Sequence, residues 1–340
     1  MIYGKFYAKA SLCSYYFNIM NYYEGVWDMS TVLEVKDLHK SLGGRKIIKG
    51  VTFDVKEGEI FGFLGSNGAG KTTTIRMLVG LIKPESGSIS IMGHDVQKDL
   101  VKALKEVGAI VENPDLYKDL TGRENLKVFA RMYGNVSKER IEEVIDIIGL
   151  KDRINDKVKK YSLGMKQRLG LGQALLCNPK LLILDEPTNG LDPVGIYEFR
   201  NIVRKMAREN NTAVFISSHI LAEIEQICDR VAFIQSGTIR SIEELSNLNM
   251  QESLDRISII THERDKCKKE LSKLTFVHEI EERDKDLVVT VDKDNFTSIM
   301  EKILEKKIYI EGIQKTHDNL EERFMKMVEG DKEDVGLSRK

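Results

Sequence analysis

Cysteine is scarce: Cys13, Cys177, Cys228 and Cys267 are the only four in 340 residues, far apart and without a CxxC pair. That spacing argues against a disulfide frame or a cysteine zinc site and fits the reduced thiols of a cytoplasmic protein. Histidine is also sparse, six in all, with no metal-ligand spacing. The formal net charge is −1, so no general excess of Lys and Arg marks a polyanion binder, although a local basic patch stays compatible with it. No uninterrupted apolar run reaches the ~18–20 residues that a membrane-spanning helix needs. What is present is ordinary for a soluble globular chain. It is 41% apolar and 31% charged, too apolar for disorder and long enough for about two domains with buried cores.

Residues 1–28 stand apart, holding nine of the 24 aromatic residues, among them Tyr15-Tyr16-Phe17 and the only tryptophan, Trp27. Tyrosine and asparagine interrupt any signal-peptide core, and neither helical nor strand periodicity is present. Met29 is followed at once by the strand pattern Val32-Leu33-Glu34-Val35. Met29 therefore reads as the natural start, with 1–28 an extension that is disordered or not native. A membrane-surface arm is the rival reading.

Residues 29–240 alternate short apolar runs with helical stretches. Positions 51–55 alternate with period two, Glu57-Gly58-Glu59 is a turn, and 60–64 is an apolar strand entering a glycine-rich loop. Positions 181–184 and 213–216 are short continuous apolar runs of the kind buried parallel strands show. A helical block spans about 96–178. In it Thr121 and Glu124 make a capping box, and Ile141, Val144, Ile145 and Ile148 share one helical face that ends at Gly149. The expectation is an α/β core with a helical subdomain.

Residues 241–340 carry 24 acidic and 18 basic residues. Strand-like runs at 256–260, 276–280, 287–291 and 308–313 alternate with helical stretches at 263–273 and 294–306. That β-α-β-β-α-β order suits a small ferredoxin-like α+β domain over 241–330. An amphipathic helix at 319–328 and a disordered tail, 331–340, are expected to close the chain.

The strongest chemical signal is Gly65-Ser66-Asn67-Gly68-Ala69-Gly70-Lys71-Thr72-Thr73, which fits GxxxxGK[ST] between a strand and a helical run at 74–81. Glycines let backbone N–H groups converge on phosphate oxygens, and the helix start adds partial positive charge. Lys71 is placed to reach the β- and γ-phosphates, and the Thr72 hydroxyl to bind Mg²⁺. The motif reads as a nucleoside triphosphate site. A second signal is the apolar strand that ends in Asp185-Glu186. Such a strand delivers carboxylates to its C-terminal end, where open α/β sheets hold ligands. Asp185 suits Mg²⁺, and Glu186 suits the general base that polarises the attacking water.

Tyr161-Ser162-Leu163-Gly164-Met165-Lys166-Gln167-Arg168 precedes this pair. Asn189-Gly190-Leu191-Asp192 follows it, and Ser217-Ser218-His219 ends the next apolar run. With the two phosphate-site motifs, and in this order, these resemble the ATP-binding cassette (ABC) family over about residues 31–240. The resemblance implies a head-to-tail dimer with two ATP molecules, each between the phosphate loop of one subunit and Ser162 and Gly164 of the other. It also implies that His219 contacts the γ-phosphate and that Asp192 carries communication across the dimer.

Three positions depart from the family pattern. The signature reads YSLGM rather than LSGGQ. Glu112 stands where a glutamine is usual, which adds a charge near the metal. Leu42 stands where an aromatic usually stacks on adenine. Glu112, the YSLGMKQR run, ISSHILAEI at 216–224 and the closing NLEERF at 319–324 are similar to ATPase subunits of bacitracin-type and lantibiotic-immunity exporters. That resemblance implies an ATPase subunit of a two-component exporter of antimicrobial peptide or antibiotic. It would work with a separately encoded permease and a second ATPase copy at the cytoplasmic face of the membrane, with no nucleic acid. The alternative is a soluble ABC ATPase acting on nucleic acid, ribosomes or cofactor assembly. Against it, the chain has one phosphate loop and no sustained heptads.

Removing residues 1–28 is expected to leave ATP hydrolysis and assembly unchanged. Turnover and size-exclusion profiles of the two forms check this, and lost folding or lost membrane recruitment would establish the arm instead.

Overall fold

The computed structural model describes residues 30–134, 136–245, 254–283 and 286–316. Three sheets organise them. The first is antiparallel, in the order β2-β1-β4-β5: β1 Thr31–Leu42, β2 Arg45–Lys56, β4 Ser86–Ile91 and the two-residue β5 His94–Asp95. The second has six strands, built from β3 Ile60–Leu64, β6 Val107–Ile110, β7 Leu181–Asp185, β8 Ala213–Ser218, β9 Arg230–Gln235 and β10 Thr238–Glu244. Its order is β10-β9-β3-β8-β7-β6, parallel except for the β9–β10 pair.

Burial on both faces explains why the central strands are continuous apolar runs rather than alternating ones. Phe61, Phe63, Leu181, Ile183 and Phe215 face the antiparallel sheet and pack with Val35, Val51 and Phe53. Ile60, Leu182, Leu184, Val214 and Ile216 face the helices. The first side is held by an aromatic cluster: Phe53–Phe61 and Phe53–Phe215 centroids lie 5.4 Å apart, and Phe63–Phe215 centroids 5.3 Å apart. On the second side Gly62 is required, because a Cβ there would lie 2.9 Å from Cys228 Sγ.

The helices in chain order are α1 Lys71–Leu78, α2 Leu100–Leu104, α3 Gly122–Tyr133, α4 Lys138–Ile147, α5 Leu163–Leu175, α6 Pro193–Asn210 and α7 Leu221–Glu225. The expected capping box closes α3: the Glu124 N–H donates to Thr121 Oγ1, and the Thr121 N–H donates to Glu124 Oε2 at 2.7 Å. Ile141, Val144, Ile145 and Ile148 are buried together, and Gly149 adopts φ +61° after α4, as a helix stop requires.

Three sequence expectations need correction. The helical block at 96–178 contains β6, a strand of the main sheet. Its four residues are too short to show a period, and Gly108 admits the α5 backbone, since a Cβ there would lie 2.3 Å from Ala174 O. The helix after the phosphate loop starts at Lys71 and ends at Leu78 rather than spanning 74–81. β10 crosses position 240, and Leu245 still packs in the helix-side core.

After residue 253 come β11 Leu254–Ile260, α8 Arg264–Leu271, β12 Val277–Glu282, β13 Leu287–Asp292, α9 Phe296–Glu305 and β14 Gly312–Thr316. The sheet is antiparallel in the order β12-β13-β11-β14, the order of a split β-α-β unit. Ile257, Ile259, Leu271, Val289, Val291, Ile299 and Ile303 form its own apolar cluster. The last strand begins at Gly312 rather than at 308, and Ile308 is buried in the cluster ahead of it. The expectations for 1–28, 319–328 and 331–340 fall outside the described residues.

Phe215 touches three aromatic rings in the middle of the main sheet and has no exposed surface. Phe215→Ala is expected to cost about 3–5 kcal/mol, the usual result of emptying such a site. Equilibrium denaturation of the full chain measures it.

Candidate active site

The loop from Gly65 to Gly70 leaves β3 at its C-terminal end, beside the C-terminal ends of β8 and β7. Gly65 N–H donates to Ser218 O at 3.2 Å, and a Cβ on Gly65 would lie 2.3 Å from Ile234 O, so no other residue fits. Ala69 N–H closes back on Ser66 O at 3.1 Å, and Gly237 N–H binds Ala69 O at 3.0 Å. Gly68 and Gly70 take φ +83° and +112°, left-handed values that turn the loop into α1. Gly70 caps α1 without a side chain, so the helix start stays open to an anion.

Lys71 is 4% exposed, and its ammonium meets three acceptors: Gly65 O at 2.7 Å, Ser66 O at 3.2 Å and Glu186 Oε1 at 3.2 Å. Three donors face three acceptors, which is how a buried ammonium escapes an unpaired charge. Glu186 Oε2 lies 3.1 Å from His219 Nδ1. One carboxylate thus joins the phosphate-loop lysine to the histidine beyond β8.

Ser217 supports both acids, a role its place in an apolar run did not reveal. Its hydroxyl donates to Asp185 Oδ1 at 2.7 Å and accepts the Glu186 N–H at 3.0 Å. Glu186 needs that support, because its φ of +45° is a left-handed value that costs a non-glycine residue about 1–3 kcal/mol. Asp185 is 3% exposed, and burial raises its carboxyl above the usual range. Hydrogen bonds from Ser217 and Thr72 and the charge of Lys71 pull the other way, while Glu186 adds to the rise.

A cleft of about 280 Å³ opens above this cluster, lined by Leu42, Ile47, Asn67, Gly68, Gly70, Lys71, Thr72, Thr73 and Glu186. Leu42 is thus one apolar side chain of the lining. Ile47, which sequence reasoning missed, is a second apolar side chain in the same lining. Its signal was weak, one of two isoleucines in a strand with an irregular register.

Ser162, Gly164 and Asp192 do not line this cleft. Ser162 caps α5, accepting the Met165 N–H at 3.2 Å, and Asp192 caps α6, accepting the Gly195 N–H at 2.9 Å. A Cβ on Gly164 would lie 3.8 Å from Gly195 Cα, so the two helix starts stand side by side. Glu112 is not in the cleft lining either. It follows β6 at φ +64°, is largely exposed, and pairs with Arg76 of α1. That ion pair, invisible to a reading of loop residues alone, gives the Glu112 carboxylate a partner on α1.

The ABC transporter family model matches residues 48–189. YhcH, an uncharacterized ABC transporter ATP-binding protein of Bacillus subtilis (strain 168), is 46% identical over 307 residues, covering 90% of this chain and 99% of that protein. The bacitracin transport ATP-binding protein BcrA of Bacillus licheniformis is 52% identical over 217 residues, covering 64% of this chain and 70% of that protein. A solved structure of the ATP binding subunit of an ABC transporter superimposes with a TM-score of 0.58 at 33% identity, covering 65% of this chain and 93% of the other.

The raised Asp185 carboxyl has a stability consequence. An acid whose folded pKa exceeds its unfolded value costs stability that grows as pH rises from the ordinary aspartate range through the folded value. Asp185→Asn is expected to raise the thermal midpoint of the nucleotide-free chain at pH 7 by a few degrees. The gain should vanish at pH 3, where both forms are neutral. Thermal scans at the two pH values check it.

Proposed function

The chain belongs to the ABC transporter family, and from that premise we propose that it powers export of an antimicrobial peptide or antibiotic through a separately encoded permease. It is an ATP-hydrolysing nucleotide-binding subunit. The observation that carries the catalytic reading is the contact of one carboxylate, Glu186, with Lys71 on one side and His219 on the other. The BcrA relative, a bacitracin transport protein, supports the cargo class. The reading assigns translocation to the permease and places this subunit against its cytoplasmic side; no described helix is long and apolar enough to cross a membrane.

In this reading the backbone N–H groups of Ser66, Asn67, Gly68, Gly70 and the α1 start at Lys71, Thr72 and Thr73 receive the phosphates, while those of Gly65 and Ala69 hold the loop in shape. Lys71 exchanges Glu186 and the loop carbonyls for phosphate oxygens. That exchange releases Glu186 when substrate is in place. Glu186 then accepts a proton from the water whose oxygen attacks the γ-phosphorus, and ADP leaves as the bond to its β-phosphate oxygen breaks. His219 holds the Glu186 carboxylate and faces the γ-phosphate. Leu42 and Ile47 give the base apolar contact without stacking.

The donors at Thr72 and Asp185 fit Mg²⁺: a hydroxyl and a buried carboxylate are hard oxygen ligands. They would hold the ion, which supplies positive charge to the phosphates. Glu112 stays with Arg76 in this arrangement and joins the metal only by giving up that ion pair. Ser162 and Gly164 complete the site from a second copy, where the α5 start suits the γ-phosphate of the facing subunit, and Asp192, beside them, carries communication across the dimer.

Glu186→Gln preserves shape and removes basicity. It is expected to bind ATP normally and to hydrolyse it at least about 100-fold more slowly, measured as steady-state turnover beside nucleotide titration. Near-normal turnover would refute the assignment.

A further inference from the structure

Two loops carry Glu186 and His219, and the contact between those side chains is not the only link between the loops. Thr188, two positions beyond Glu186, donates from Oγ1 to Glu223 Oε2 at 2.6 Å. Ser218, the residue before His219, lies with Oγ 3.3 Å from the same Glu223 oxygen. Glu223 sits in α7, on neither loop. The path from Glu186 to Thr188, across Glu223 to Ser218, on to His219 and back through the 3.1 Å contact is a closed ring.

We propose that Glu223 is a positioning residue for hydrolysis, holding the Glu186 loop and the His219 loop at the separation their contact requires. The proposal rests on the catalytic reading of Glu186 given above. None of Thr188, Ser218 and Glu223 lines the nucleotide cleft, so the ring stands behind the groups that would touch nucleotide. The three instead border a small depression with Arg200, Phe199, Ile216 and Ile224 on the helix side of the sheet.

The ring acts where the backbone is least self-supporting. Glu186 is in left-handed conformation, and the turn after it holds itself through only short contacts, Asn189 N–H to Glu186 O and Leu191 N–H to Thr188 O, each at 3.1 Å. Ser217 fixes the start of this turn through the Glu186 N–H, and Glu223 fixes it again at Thr188. On the other loop, Ser218 is 4% exposed and accepts the Ile220 N–H at 2.9 Å, so its hydroxyl is bound into the bend that aims His219. Without Glu223 each loop keeps its own turn but loses its register against the other. A displacement of that kind lowers the rate of reaction more than the affinity for substrate, because the phosphate loop still binds.

The test is steady-state ATP hydrolysis by the full chain carrying Glu223→Ala, Thr188→Val or Thr188→Ser. Glu223→Ala and Thr188→Val are each expected to lower kcat by roughly 10-fold or more with KM for ATP within about twofold, the split a misaligned catalytic group gives. Thr188→Ser returns the hydroxyl and is expected to restore kcat. Unchanged kcat in the alanine and valine variants would overturn the proposal, as would a serine variant no better than valine, or KM rising in step with a lowered thermal midpoint. Glu186→Gln run alongside separates the two readings. If it turns over normally, the catalytic assignment of Glu186 fails and takes this inference with it. If it is inactive while Glu223→Ala is unaffected, only the positioning role fails.

Discussion

The central strands have no water on either face, and the rest of the site follows from that. β3, β7 and β8 are buried from end to end, so a polar residue in them must find its partner inside the protein or stand at the last position. Asp185 stands at the end of β7, and Ser217 and Ser218 at the end of β8. The parallel direction of the three strands brings all these ends to one edge, together with the loop that leaves β3. The two cores above and below the sheet therefore gather the acids, the hydroxyls and the phosphate loop at one edge, and none of these residues has to specify that placement itself.

Within the cleft the chain holds two features that cost free energy. Lys71 is buried with its charge, and Glu186 is bent into a left-handed backbone. Each offsets the other, since the ammonium is satisfied only if the Glu186 carboxylate comes to it, and the bend is what presents the carboxylate. Buried pairs of this kind contribute little net stability, and breaking one by removing a single partner is expensive. The phosphate of a bound nucleotide is a substitute partner for the same lysine, so the resting contact selects what can replace it.

Much of this was legible from residue order, and the limits have physical causes. The phosphate loop is legible because only glycine tolerates the backbone at Gly68 and Gly70, and the acids because an apolar strand ending in Asp185-Glu186 has few other uses. The capping box at Thr121 and the α4 face were legible because their signals are local. β6 was hidden inside a helical stretch because four buried residues carry no period. The Arg76–Glu112 pair and the Glu223 ring were illegible for a different reason. Each joins residues more than thirty positions apart through single side-chain contacts, which leave no spacing in the sequence. Ile47 was missed because its strand has irregular register, so alternation did not say which face it occupies.

The pairing of β3 also bears on how the chain is made. Its sheet neighbours are β8 and β9, and the bond between the Ile60 N–H and the Asp229 carboxylate spans 169 residues. At roughly 5–20 residues per second of synthesis, the Ile60-Phe61-Gly62-Phe63-Leu64 segment leaves the ribosome about 8–34 seconds before its second neighbour exists. β1 and β2 can pair meanwhile, since their contacts are local, and so can the α3–α4 pair. The strand that launches the phosphate loop cannot, and its apolar side chains wait without a partner. The same non-local topology that gathers the catalytic groups at one edge makes this short strand the part of the nascent chain most in need of shelter.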